Sequence, residues 1–176
     1  MSTHIEDPIE ARRGEQTRWQ LDPAQSRVEF EVPHNWGLSR VRGRFARFDG
    51  FLDLDADPAL VLVIDARSLD TRNKQRDKHL RSADFFDVGN HPLVRFVSDK
   101  VELEGERLRA HGGLYAAGES VPLEIDATAK QDEDGLEVDA VAEVDQRQLG
   151  MTWSPLGIAR TSTRLLVHAR LVPKPR

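Results

Sequence analysis

The feature that most restricts the fold is a period-two alternation of apolar residues that returns, run after run, along most of the chain. Val28, Phe30 and Val32 alternate with Glu29 and Glu31; Val121, Leu123, Ile125, Ala127 and Ala129 keep one face. Leu136, Val138, Ala140, Ala142 and Val144 do the same, as do Leu165, Val167, Ala169 and Leu171 opposite Leu166, His168 and Arg170. Successive side chains of a strand point to opposite faces, so half-buried strands write this pattern. Turn signals punctuate it: Asp22-Pro23, Asp49-Gly50, Asp57-Pro58, His91-Pro92, Glu104-Gly105, Ala117-Gly118 and Asp134-Gly135.

The runs fall at 26–33, 40–47, 50–55, 60–67, 93–103, 107–115, 120–131, 135–145 and 163–172. They make eight strands if the second and third are one strand bent through Asp49-Gly50. Short strands with tight turns and no alternating helices predict an all-β antiparallel sandwich or barrel. One segment departs from the pattern. Asn73 to Phe86 is rich in helix formers, with Leu80, Phe85 and Phe86 as apolar anchors, and reads as a short helical segment crossing one barrel end. Residues 1–16 are polar and patternless and read as a disordered tail, 17–173 as a single domain, and 174–176 as a second tail.

The apolar rows turn small where a packed core wants bulk, at Ala127, Ala129, Ala140 and Ala142, with Gly43, Ala110 and Ala169 on other strands. Interiors are normally filled to crystal-like density. These positions therefore either receive large residues from across the barrel, such as Phe30, Phe45 and Phe96, or line a ligand-filled bore. Alternation alone favours the filled core, because small and large residues often alternate inside barrels.

Composition narrows the function. A net charge of -5 sets phosphate backbones and anionic surfaces against the chain on average, so nucleic acid is not an expected partner. Cysteine is absent, which removes disulfides, thiolate zinc sites and cysteine nucleophiles. The first twenty residues hold no apolar h-region, and no run is long enough to span a bilayer, so a cytoplasmic location is expected.

The histidines at 4, 34, 79, 91, 111 and 168 show no zinc-like local spacing, and no metal site is expected. Asp53, Asp55 and Asp57 resemble the start of a calcium loop, but Pro58 replaces the required glycine and Ile64 the bidentate glutamate. No nucleophile elbow, phosphate loop or dinucleotide fingerprint occurs. The polar cluster Arg76, Asp77, His79 and Arg81 offers three readings. It can tie the crossing segment to the barrel end through charge-assisted bonds. It can meet a polar head at a pore mouth, or supply a general base at His79 with Asp77 beside it. The structural tie is preferred.

An ordered series of motifs carries a resemblance. Trp19-x-Leu21-Asp22-Pro23 and Ser26-Arg27-Val28-x-Phe30 are followed by His34, Val41-Arg42-Gly43-Arg44-Phe45 and Phe48-Asp49-Gly50. Then come Ser68-Leu69-Asp70-Thr71, Arg76-Asp77-Lys78-His79-Leu80-Arg81, Asp84-Phe85-Phe86-Asp87 and His91-Pro92. Phe96, Ser98, Gly113-Leu114, Gly118 and Val121-Pro122 complete it. From Trp19 to Pro173 the chain resembles the YceI-like family of polyisoprenoid-binding, lipocalin-like proteins. The Arg-Asp-x-His-Leu element shortly before Asp-Phe-Phe-Asp is the most specific part.

The resemblance implies an extended eight-stranded antiparallel lipocalin-like β-barrel with a long apolar pore, which reverses the preference for a filled core. It implies an occupant that is a polyisoprenoid, an isoprenoid quinone or a fatty-acyl chain, with no cofactor required and a homodimer among the expectations. On that basis the expected lining is Phe30 and Val32 on the first predicted strand and Val41 and Phe45 on the next. Val94 and Phe96, Leu114, and Ile125 with Ala127 continue it, followed by Ala140, Ala142 and Val167. Phe85 and Phe86 of the crossing segment and Trp153 of the 151–157 loop would close the mouth. Non-catalytic storage or transport of an apolar lipid is the expected function. A small prenyl- or acyl-directed enzyme using His79 and Asp77, and a ligandless interaction module, are the alternatives.

Overall fold

A computed structural model describes residues 17–34, 39–55, 57–151 and 162–175. Two strands near the N-terminus, β1 (Thr17–Leu21) and β2 (Arg27–His34), both pair antiparallel with β11 (Ser162–Pro175), the last. A single 3-10 turn, Pro23–Gln25, separates them, and the Asp22 carboxylate caps it by accepting from the Ala24 N–H at 3.0 Å. β3 (Ser39–Phe45) pairs with β2, and β4 (Phe48–Asp53) pairs with β1. β1/β2 and β3/β4 are thus two long strands, each broken once. β5 (Ala59–Asp65) lies against β4, and the two-residue β6 (Leu69–Asp70) against β3.

β7 (Leu93–Glu104), β8 (Arg107–Ala116), β9 (Glu119–Gln131) and β10 (Leu136–Asp145) then follow as sequential neighbours and lead back to β11. With each broken strand counted once, and β6 taken with β5, the sheet is a closed eight-stranded antiparallel barrel in simple sequence order, as the alternation predicts. Closure leaves no unpaired edge along the ring.

Local chemistry explains the corners. The β8–β9 hairpin turns on Ala117 and Gly118, both with positive φ (51° and 81°), the twist that a two-residue hairpin requires. The β3–β4 break falls at Ala46-Arg47, where the Ala46 N–H donates to the Ser68 carbonyl and the Arg47 N–H to Ser68 Oγ. Asp49-Gly50, expected to be the bend, lies inside β4. Gly50 is needed there for a different reason: a Cβ would sit 2.5 Å from the Val61 carbonyl oxygen. β11 runs on to Pro175, so Lys174 and Pro175 pair with Arg18 and Thr17 and are strand, not tail. The expected tail at 1–16 lies outside the described residues.

The crossing segment contains one helix, α1 (Lys74–Arg81), shorter than the 73–86 span suggested. Asn73 caps it through its side-chain oxygen, which accepts from the Arg76 N–H at 3.0 Å, and Ser82 ends it by donating to the His79 carbonyl at 2.6 Å. Eight residues are too few to hold a helix in water on propensity alone. Tertiary ties supply the difference. Leu80 is its one buried apolar side chain, and Phe85 and Phe86 in the turns that follow are buried as well. No helix among the described residues is long and apolar enough to cross a membrane.

Candidate functional site

Among the described residues, the inward rows of the strands line two apolar hollows. The first, about 30 Å³ in volume, lies under the helical segment. Phe45, Phe85, Phe86, Val94 and Leu114 line it. The second, about 70 Å³, includes Phe96, Ile125, Ala127, Ala140 and Val167 in its wall. The two share no lining residue. Strand β11 shows how they are stacked: Thr163 and Leu165 face the first, Val167, Ala169 and Leu171 the second. Strand β10 repeats the order, with Val144 at the first and Ala140 and Val138 at the second.

Phe30 marks the boundary. It is paired opposite Leu165 and Gly43, is fully buried, and lines neither hollow. Its ring lies so flat over Gly43 that a Cβ there would stand 2.3 Å from Cζ. Phe30, Phe45 and Phe86 form a triangle of rings with centroids 5.1, 5.8 and 6.1 Å apart, and Phe85 stacks edge-on to Phe86 at 5.0 Å. Aromatic pairs of this geometry contribute about 0.5–1.5 kcal/mol each beyond their buried area.

Where one long pore was expected, the described residues line two small hollows with no wall residue in common. Each hollow is smaller than the roughly 150 Å³ cavity known to admit benzene. The reason is partial compensation: the space left by Gly43 is filled by Phe30, whereas Ala127 and Ala140, paired side by side on β9 and β10, still leave the second hollow unfilled. Ala142 is buried but lines neither hollow, as is fitting for a position between Val144 and Ala140. Val32 and Val41 form a half-buried cross-strand pair outside both. Trp153 lies outside the described residues.

The polar cluster is a tie. Asp77, buried, accepts from both the Thr71 N–H (2.9 Å) and the Thr71 hydroxyl. Arg76 donates to Thr71 Oγ1 and to the Thr71 carbonyl, each at 2.8 Å. Arg81 reaches the Arg67 and Leu69 carbonyls at 3.1 and 2.6 Å. These bonds fasten α1 to the β6 segment, and none of Arg76, Asp77, His79 or Arg81 lines either hollow. His79 is half-buried.

Sequence reasoning missed the polar pair that does face the first hollow. Gln146 and Thr163, both buried, line it, and the Thr163 hydroxyl donates to Gln146 Oε1 at 3.1 Å. The surface that the wall presents to the hollow is nonetheless almost wholly apolar. Gln146 sits in a 3-10 turn, Gln146–Leu149, where no periodicity announces a side chain's direction.

On the outer face, Glu31 is the hub of a charge network. It is nearly buried and accepts from Arg42 on β3 and from Arg164 on β11 (3.1 Å), with Arg40 3.9 Å away. The Arg42 hydrogen bond holds its carboxyl below the ordinary carboxylate range, with Arg164 and Arg40 adding to the field. Glu31 thus pins the strand that carries Phe30 to both its neighbours.

Comparison with known proteins follows this geometry. A UPF0312 protein of Vibrio cholerae is 38% identical over 109 residues, covering 59% of this chain and 57% of the relative. A UPF0312 protein of Pectobacterium carotovorum is 39% identical over 105 residues, 57% of this chain and 54% of the relative. The matched stretch thus spans little more than half the length of these curated relatives. Among solved structures, BcnA of Burkholderia cenocepacia superposes with a TM-score of 0.77 at 19% identity, covering 85% of this chain and 98% of BcnA. A polyisoprenoid-binding domain from Saccharophagus degradans gives 0.71 at 13% identity, covering 89% and 98%. The YceI protein of Campylobacter jejuni gives 0.68 at 22% identity, covering 82% and 91%. The profile of the YceI-like domain matches residues 19–171, which is the barrel from β1 into β11, and the chain belongs to that family.

Proposed function

We propose that the domain binds an apolar, chain-shaped lipid inside the barrel, of the polyisoprenoid, prenylquinone or fatty-acyl class, and stores or carries it without chemical change. The observation that carries this reading is the pair of apolar hollows stacked along the barrel under a short helix anchored by one apolar residue. The ligand class is supported by the Saccharophagus degradans neighbour, described as polyisoprenoid-binding. The helix end is the entrance in this reading.

Each methylene moved out of water contributes about 0.8 kcal/mol, so ten contribute roughly 8 kcal/mol against an association cost of at least about 4. Displacing side chains to make room draws on the same surplus, so long chains bind and very short ones do not. The test is organic extraction of gently purified protein followed by mass spectrometry, with re-addition of a polyprenol to stripped protein. A stoichiometric lipid in the extract, or uptake of the polyprenol, supports the reading. An empty extract together with no uptake overturns it.

A further inference from the structure

We propose that Phe30 is a movable partition that sets which ligand lengths the barrel accepts; the inference rests on the reading of the interior as a ligand site. Three observations converge on it. The hollows are end to end along β10 and β11 yet share no wall residue, so one layer of side chains divides them. Phe30 is the largest fully buried side chain and belongs to neither wall, although its strand neighbours Leu165 and, one step along β11, Val167 line the first and the second. Its ring is seated over a glycine, Gly43, whose missing Cβ is the only reason it can lie there.

A ring seated on backbone has a direction in which to move. The two hollows flank it, so rotation trades one hollow's volume for the other's and opens a passage between them. A short chain enters the first hollow by pushing its wall side chains aside, with the ring at rest. A long chain reaches the second only once the ring has swung off Gly43. Wall positions set capacity at each end, Leu114 and Val94 in the first hollow, Ala140 and Ala127 in the second. Phe30 sets whether the two act as one.

The experiment uses the full chain, stripped of lipid, and a series of prenyl alcohols of two, three, four and eight isoprene units. Wild type is compared with Phe30→Leu, which keeps an apolar side chain but shortens it, and with Ala140→Leu, which fills the far hollow and leaves Phe30 in place. The expected result is that Phe30→Leu raises the affinity for the longest alcohol relative to the shortest by about tenfold or more. Ala140→Leu, which fills the far hollow, lowers the same ratio. Should Phe30→Leu fail to fold, Phe30→Met is read in its place. A ratio that the Phe30 variant does not raise overturns the partition while the ligand reading stands. Wild type that binds no alcohol of any length overturns both.

Discussion

Gly43→Ala tests the seat of the Phe30 ring directly. The added Cβ would stand 2.3 Å from Cζ, 2.6 Å from Cε1 and 2.9 Å from Cε2. Carbon atoms at their optimum lie about 3.5–4.0 Å apart, so the ring has to withdraw by roughly 1–1.5 Å. Phe45 and Phe86, with centroids 5.1 and 6.1 Å away, stand on the ring's other sides. Overpacking of this kind costs about 1–3 kcal/mol. Replacing a strand glycine by alanine returns about 0.4–1 kcal/mol through the unfolded chain, which leaves a net loss of about 1–2 kcal/mol. Urea denaturation followed by circular dichroism should show a lower midpoint at unchanged slope. The double variant Gly43→Ala with Phe30→Leu should recover part of the loss, with a coupling of at least about 0.5 kcal/mol between the two sites. Strict additivity, or a Gly43→Ala protein as stable as wild type, would refute the argument that the ring rests on that glycine.

Three further outcomes follow from the polar structure. Glu31→Gln should cost about 1 kcal/mol, discounted because Arg42 and Arg164 remain partly hydrated, and the penalty should shrink in high salt; a salt-independent loss would point away from charge. Asp65, held to a pKa of about 2 chiefly by the Arg67 side chain and also by Arg47, should stabilise the fold fully above the unfolded carboxylate value near pH 4. That contribution is lost as pH falls through about 2, so Asp65→Asn should flatten the acid limb of a thermal-stability profile, and an unchanged limb would contradict the assignment. Asn73→Ala should remove the α1 cap at a cost of about 1 kcal/mol, seen as faster amide hydrogen exchange within Lys74–Arg81 and little change in the barrel.

Period-two runs made the strands readable because closure of a barrel leaves one face in and one face out. What escaped was parity. β7 begins with Val94 and Phe96 inward, but a bulge between Ser98 and Lys100 shifts the phase, and Val101 is the next buried residue. The β3–β4 break does the same, moving the buried set from Gly43 and Phe45 to Gly50 and Leu52. β1 was missed as a strand because five residues with Trp19 and Leu21 inward are too short a run to separate from the turn that follows. Within the site, alternation and side-chain size marked Ala127 and Ala140 as small inward positions, and only the family resemblance made them, with Val167, expected walls. The division of the interior was not legible, since it depends on Phe30 crossing to Gly43 on the adjacent strand. Register decides that meeting, and no local pattern encodes it.

The pairing of Thr17 with Pro175 places the two ends of the barrel sequence side by side, at the pole opposite α1. Any fusion partner, tether or surface attachment joined at either end would emerge from that single point. It would hold the molecule by its base, with the helical cover turned away from the attachment.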